Sequence, residues 1–181
     1  MMRRVLLSVG LILASVVALA AATEIKVTAI VDKSRVLASF AAPGAFNHDA
    51  QAVMRSGLVL TFTFHLELRR PVSIWFDSTV GQLVVASAVK HDPLTGRYHV
   101  SKLHDGRVVW SEQTDQATVV RSWMTTFDKV PLEPVRPLEP NGEYYVRVRM
   151  ESNPRPTFSL WSLWPWGRSD GVGQADFAVI R

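Results

Sequence analysis

The chain has 181 residues, a length that suits one domain. Its formal net charge is +4 at pH 7, and no run of Lys or Arg is longer than two, so the sequence lacks the clustered basic patch of a nucleic-acid-binding protein. Cysteine is absent, which excludes disulfides, thiolate metal sites and cysteine nucleophiles.

The N-terminal segment has the composition of an export signal. Arg3 and Arg4 form a basic region, the residues from there through Thr23 are uncharged, and the apolar core ends in Ala20-Ala21-Ala22. Signal peptidase requires small side chains at −3 and −1, so we expect residues 1–22 to be a signal peptide cleaved after Ala22, with Ala20 as the other position.

An uncleaved anchor is the alternative for this segment, because its apolar length is nearly enough to span a bilayer. In either case Arg3 and Arg4 stay inside and residues 23–181 are expected in the periplasm or cell envelope. Cleavage would remove both arginines and lower the net charge from +4 to +2.

The first half of the mature sequence predicts strands around one short helix. Residues 24–32 and 35–41 alternate apolar and polar side chains and are expected to pair as a hairpin. Residues 47–56 have helical spacing, with Asn47 as a candidate N-cap and Gly57 after the end. The strongest pattern covers 58–70, where apolar side chains from Leu58 to Leu68 occupy every second position.

The second half continues the strand pattern with one longer helix. Strands are predicted at 82–90, 96–103, 107–111, 143–152 and 174–180, with turns at 91–96 and Asp105-Gly106. Residues 114–127 carry apolar side chains at helical spacing, and Thr114-Asp115 suits an N-cap. Four prolines within 129–142 indicate an extended crossover.

About eight short strands separated by turns predict a mainly β fold. We expect a two-sheet antiparallel β-sandwich of immunoglobulin-like architecture, with one or two short helices, formed by residues 23–181 as a single domain. The paired cysteines and central tryptophan of true immunoglobulin domains are missing as a set, so the strand order is not predicted.

No motif in the sequence identifies catalytic, cofactor-binding or metal-binding residues. His99 and His104 have no third partner in the pattern, whereas a catalytic metal site needs three protein ligands. The serines lack the context of an activated nucleophile, and Gly171-Val172-Gly173 precedes a strand, which does not suit a phosphate loop. We therefore predict no catalytic residue, no cofactor and no metal.

A tryptophan-rich segment is the candidate contact surface. Residues 158–166 read FSLWSLWPW, and the candidate contact residues are Leu160, Trp161, Leu163, Trp164 and Trp166. If exposed, such a patch would contact a protein partner or the lipid–water boundary of a membrane. The other interpretation, which we favour slightly, is that it closes one end of the sandwich.

Several segments, in their order, resemble a known family. They read RRPVSIWFDSTVG after the 58–70 strand, then YHVSKLHDG, DQATVVRSWMTTFD and PLEPNGEYYVRVRMES. Together they are similar to the uncharacterised exported bacterial proteins grouped as domain of unknown function 4390. The tail LWSLWPWG departs from the family pattern. The resemblance implies no catalytic residue, and the family's frequent gene neighbour, a membrane sensor kinase of nitrogen regulation, implies an accessory role in envelope signalling.

Three functional hypotheses follow from the sequence. The first is a non-enzymatic envelope module that binds a protein partner through a sheet edge or the tryptophan-rich segment. The second is a periplasmic hydrolase with a site built on loops such as His91–Gly96. The third is a module that binds a membrane surface through residues 158–166, where Arg155 and Arg168 would suit anionic headgroups.

Overall fold

The computed structural model describes residues 23–32, 35–72, 77–153 and 171–179. These form ten strands and two α-helices. The strands are β1 Thr23–Glu24, β2 Lys26–Asp32, β3 Arg35–Ala41, β4 Leu60–Arg70, β5 Ser78–Asp92, β6 Arg97–His104, β7 Arg107–Thr114, β8 Thr126–Leu132, β9 Glu143–Asn153 and β10 Gly171–Ala178. The helices are α1 His48–Arg55 and α2 Ala117–Thr125, and a short 3-10 turn covers Pro43–Ala45.

Two sheets face each other, which confirms the predicted β-sandwich. The larger sheet has seven strands in the order β1-β10-β9-β4-β5-β6-β7, and the smaller has three in the order β2-β3-β8. The β2–β3 hairpin is antiparallel as predicted, and every pairing is antiparallel except that of β1 with β10.

The chain passes from one sheet to the other at Ile25, between β1 and β2. This crossing brings backbone close to β10, where only glycine fits. A Cβ at Gly171 would lie 2.4 Å from the Thr23 carbonyl oxygen, and one at Gly173 would lie 2.3 Å from the Ile25 carbonyl oxygen. The two glycines therefore allow one continuous segment to contribute to both sheets.

The core lies between the sheets and follows the predicted alternation. Leu60, Phe62, Phe64, Leu66 and Leu68 of β4 are all buried, and Val146, Val148 and Met150 continue this inner face on β9. Three phenylalanines join the two sheets: the ring centroid of Phe40 is 5.0 Å from that of Phe64 and 4.9 Å from that of Phe127. Burial of these apolar side chains is the main stabilising term for the sandwich.

Helix α1 begins as the sequence predicts. The Asn47 side chain accepts a hydrogen bond from the Ala50 amide at 3.0 Å, and Gly57 after the helix has a positive φ of 80°. The preceding 3-10 turn and α1 bury Ala45, Ala50 and Met54 against the sandwich. The prediction that the long strand starts at Leu58 was wrong, because β4 begins at Leu60 and Leu58 is exposed.

Helix α2 is shorter than predicted at both ends. Thr114 is the last residue of β7, Gln116 is the N-cap without a side-chain hydrogen bond, and Phe127 lies on β8. The predicted N-cap at Thr114-Asp115 was therefore wrong. The helix covers the larger sheet as expected, and the buried Ser87 hydroxyl of β5 donates to the Met124 carbonyl at 2.7 Å.

Strand β8 replaces the start of the predicted irregular crossover. It pairs with β3 despite Pro131, because β8 is an edge strand whose outer side needs no ladder partner. The crossover that follows docks on β5 where Gly81 allows close approach, and the Val135 amide donates to the Val80 carbonyl at 2.7 Å. Val80 is the extra residue of a bulge opposite Leu68 and Arg69.

Three sequence predictions fall outside the described residues. They are the signal peptide at 1–22, the hairpin turn at 33–34 between the first two strands and the tryptophan-rich segment at 158–166. Within the described ranges, no helix combines the length and apolar character needed to cross a bilayer.

Candidate partner-binding site

The outer face of the seven-stranded sheet, which points away from β2, β3 and β8, is divided into two halves. Over β9 and β4 it carries charged side chains such as Glu67, Arg69 and Arg149. Over β5, β6 and β7 it carries small and apolar side chains at Val84, Ala86, Leu103 and Val108, with polar ones such as Lys90 and His99 farther along the same strands. This sheet face therefore presents two neighbouring surfaces of different polarity.

The apolar half is continuous from β5 to the edge of the sheet. Ala86 is opposite Leu103, and Leu103 is opposite Val108, so these three side chains form a row across three strands. Val84 lies one step along β5 on the same face and is 37% exposed, and Val108 is 61% exposed. We call Val84, Ala86, Leu103, Val108 and Val109 the edge patch.

Strand β7 ends the sheet on this side. Among the described residues it pairs only with β6, so on its other side alternate backbone N–H and C=O groups have no ladder partner. Val109 is the extra residue of a bulge between Val108 and Trp110 and is 55% exposed. An apolar, unpaired edge is a template on which another extended chain can pair.

A tight turn fixes the β6–β7 hairpin. Asp105 and Gly106 have φ values of 44° and 76°, the positive values required by a type I′ turn of two residues. The Asp105 amide donates to the Val84 carbonyl at 2.8 Å, and its carboxylate accepts from the Val84 amide at 3.2 Å. The turn is therefore bound to β5, and the edge patch is held in one position.

The inner side of the hairpin is anchored by aromatic side chains. The Trp110 ring of β7 meets the Trp123 ring of α2 edge to face, with centroids 4.9 Å apart. This contact holds β7 against the body of the protein from within. Its outward side and its free edge stay exposed.

The edge of the smaller sheet at β8 is protected, unlike β7. Lys102 of β6 donates from Nζ to the Thr126 carbonyl at 2.8 Å and lies 4.5 Å from the Phe127 ring centroid. Burial lowers the pKa of Lys102, since desolvation disfavours its charged form. Pro131 and a bulge at Asp128 and Lys129 further disrupt this edge.

The loop predicted as a possible hydrolase site is a tight hairpin tip. Asp92 accepts hydrogen bonds from the Leu94 amide and the Thr95 hydroxyl at 2.9 and 2.8 Å, and these bonds lower its pKa. The Asp92 carboxylate thus stabilises the turn through these two hydrogen bonds. A groove of about 620 Å³ beside it is bordered by His91 and His99 but by no serine or threonine hydroxyl.

His99 and His104, whose sequence pattern does not predict a metal site, do not come together. His99 and His104 both lie on β6 at an odd separation, which places them on opposite faces of the sheet. In the part of the chain that the structure describes, no group of three or more His, Asp or Glu side chains is arranged to hold a metal ion.

The sequence-predicted contact residues Leu160, Trp161, Leu163, Trp164 and Trp166 lie outside the described residues. The edge patch was not predicted as a site. The available signal was the pair Val108-Val109 directly after a turn, but period-two alternation does not reveal which strand is outermost.

Comparison with known proteins places the chain in one family. No curated protein and no solved structure gives a significant match. The family model described as "Domain of unknown function (DUF4390)" matches residues 20–155, which is well over half of the chain and includes β4, β7 and β9. The protein therefore belongs to the DUF4390 family.

Proposed function

We propose that the protein is a non-enzymatic binding module of the cell envelope that pairs an extended segment of a protein partner with strand β7. The observation that carries this proposal is the free edge of β7 next to the exposed Val108 and Val109. Strand addition supplies affinity through main-chain hydrogen bonds and specificity through side-chain contacts beside the edge.

The protection of β8 supports this assignment of the site. Lys102 of β6 and Pro131 discourage pairing at β8. Strand β7 has a bulge as β8 does, but it has no proline, and among the described residues no lysine donates to its carbonyl groups; its bulge places a further valine on the surface. The one edge therefore favours an incoming strand and the other opposes it.

The apolar half of the outer face gives the partner a second contact. A strand added beside β7 would place alternate side chains next to Val108 and the row that continues to Leu103 and Ala86. Such a segment would be apolar at every second position and free of proline. The export signal expected at residues 1–22 supports a partner in the periplasm or envelope.

Site-specific crosslinking in intact host cells tests the proposal. A photo-crosslinking amino acid replaces Val109 in the full chain, and the matched control position is Val172 of β10, which is 50% exposed against 55% for Val109. We expect a discrete protein adduct from position 109 and none from position 172. The adduct is identified by mass spectrometry, and its protein is then purified.

Hydrogen exchange of the purified complex distinguishes strand addition from other contacts. The outward amides of β7 should exchange slowly in the complex and rapidly in the free protein, and Val108→Lys should weaken binding by about tenfold or more. Equal adducts from positions 109 and 172 would contradict the proposal. Adducts confined to a crosslinker at Trp161 would instead support the tryptophan-rich segment as the contact.

A further inference from the structure

The charged half of the outer face is a network on two paired strands. In the register of β4 and β9, His65 is opposite Arg149, Glu67 is opposite Arg147 and Arg69 is opposite Tyr145. Residues at opposite positions of an antiparallel pair have their Cβ atoms within about 5.5 Å. Three guanidinium groups are thus concentrated around Glu67, and Glu151, a further outward carboxylate of β9, lies 4.0 Å from Nε2 of His65.

Glu67 is shared between two of these arginines. Its carboxylate accepts a hydrogen bond from Arg149 and lies 3.8 Å from Nη1 of Arg69. The side chains of Glu67 and Arg69 are only 19% and 20% exposed, so both charges are partly removed from water. The Glu67 carboxylate therefore interacts with the guanidinium groups of both Arg149 and Arg69.

A second acidic residue is held by a phenol. The Tyr145 hydroxyl donates to Asp77, and Arg69 donates from Nη2 to the Asp77 carbonyl oxygen at 3.0 Å. The hydrogen bond from the Tyr145 hydroxyl lowers the pKa of the Asp77 carboxyl group. Burial and the same Tyr145–Asp77 hydrogen bond raise the pKa of Tyr145. The carboxylate stays ionised and the phenol stays protonated at neutral pH, so this pair is fixed.

Arg147 has no carboxylate partner among the described residues. Its guanidinium stacks on the Tyr145 ring with 5.5 Å between Cζ and the ring centroid, and its Nη2 is 3.5 Å from the Tyr145 hydroxyl. The neighbouring Asp176 of β10 accepts from Gln174 at 2.9 Å and forms no ion pair with Arg147 in the described ranges. Most of the Arg147 donors are thus unused.

Arg69 also keeps an unsatisfied donor. Its Nε is buried and has no hydrogen-bond partner within the described part of the chain. A buried N–H group without an acceptor destabilises the folded state, because its lost hydrogen bond to water is not replaced. Arg69 and Arg147 lie on either side of Tyr145, and both act electrostatically on the Tyr145–Asp77 pair. The carboxylates of this face, Glu67, Asp77, Glu151 and Asp176, balance its arginine charges overall, but among the described residues none of them accepts from Nε of Arg69 or forms an ion pair with Arg147.

We propose that Arg147, assisted by Arg69, binds an oxyanion, either a carboxylate or a phosphate group, on the outer face of β4 and β9. The guanidinium fork matches both groups because each offers two oxygens in one plane to two parallel N–H donors. The anion would supply the acceptor that Arg147 and Nε of Arg69 lack among the described residues. This site is distinct from the edge patch, and the inference does not depend on the proposed strand pairing.

Calorimetric titration of the protein as its host produces it tests this site. Inorganic phosphate and acetate are titrated separately at constant ionic strength, with chloride as the reference anion. We expect saturable binding of phosphate or acetate that falls by at least about tenfold in Arg147→Gln, because a charge-assisted fork is lost. Arg97→Gln, which removes an exposed arginine of β6, is the matched control and should bind like the wild type.

Further variants keep the test decisive. Arg147→Lys retains the charge but not the fork, so binding weaker than in the wild type supports bidentate recognition. Flotation on vesicles of phosphatidylglycerol, compared with phosphatidylcholine, assigns a phosphate preference to a lipid headgroup or to a free anion. Equal responses to phosphate, acetate and chloride, or unchanged binding in a folded Arg147→Gln protein, would overturn the proposal.

Discussion

Strands β7 and β8, each at one edge of its sheet, differ in how their edges are protected. Strand β8 faces the larger sheet, and Lys102 of that sheet reaches across to the Thr126 carbonyl. Its bulge is closed by Ser39, whose hydroxyl donates to the Asp128 carboxylate at 2.8 Å and accepts from the Lys129 amide at 3.0 Å. The Thr126 carbonyl and the polar groups of the bulge are thus satisfied within the protein.

Strand β7 has no comparable partner among the described residues. The larger sheet extends beyond the three strands of the smaller one, so its last strand is supported only by β6 and, from within, by α2. This difference indicates that β7 is exposed because the larger sheet is wider than the smaller one. An exposed edge strand can therefore arise without loss of buried surface in the core.

The largest difference between the two strands should appear when their main aromatic residue is removed. Phe127 of β8 is buried and packs on Phe40 and Phe64, so Phe127→Ala is expected to cost about 3–5 kcal/mol of unfolding free energy. Trp110 of β7 is half-buried, so Trp110→Ala should cost about half as much. Urea unfolding measures both changes in unfolding free energy, and equal losses would show that Trp110 stabilises β7 as much as Phe127 stabilises β8.

Removing single serine hydroxyl groups compares the polar contacts at β8 with those at β7. Ser39→Ala removes two hydrogen bonds that close the β8 bulge, where Lys129 has a positive φ of 48°, and should cost about 1–2 kcal/mol. Ser111→Ala removes one exposed hydroxyl contact to Ser101 on β7 and should cost less than about 0.5 kcal/mol. A Ser111 effect as large as that of Ser39 would refute the view that only β8 is reinforced.

The sequence predicted the strands whose two faces have different chemistry. Buried and more exposed side chains alternate along β4 and β9, because one face of each strand packs on the core and the other carries Glu67, Arg69 or Arg147. Strand β8 was not predicted, because Phe127 continued the helical spacing of α2 and Pro131 suggested a crossover. Tertiary pairing with β3 overrides that local pattern.

The proposed binding surfaces were harder to predict than the fold. Alternation along one strand does not state which strands are neighbours, so the row Ala86–Leu103–Val108 and the position of β7 at the edge appear only in the folded sheet. The arginine network likewise depends on the register that sets Glu67 opposite Arg147. Both surfaces are products of pairing between residues far apart in sequence.

A smaller effect is expected from the charge at the β8 edge. The pKa of Lys102 is lowered in the folded protein, so between that pKa and the ordinary lysine value the unfolded chain binds more protons than the folded one. The free energy of unfolding should therefore rise with pH in this alkaline window. Lys102→Met keeps the apolar stem and should abolish the rise, as measured by urea unfolding at a series of pH values. A rise of the same slope in the variant would assign it to other groups.

The smallest effect on stability should come from the edge patch itself. Val109 is 55% exposed at a bulge, so Val109→Lys removes little buried surface and is expected to change the unfolding free energy by less than about 0.5 kcal/mol. The same lysine at Val130, which is buried on β8, would place a charge in the core and should cost several times more. If Val109→Lys is neutral for folding yet prevents binding of the purified partner, the open edge contributes to binding and not to the sandwich. A large loss of stability from Val109→Lys would mean instead that β7 is part of the core's support, and the difference between the two edges would lose its functional meaning.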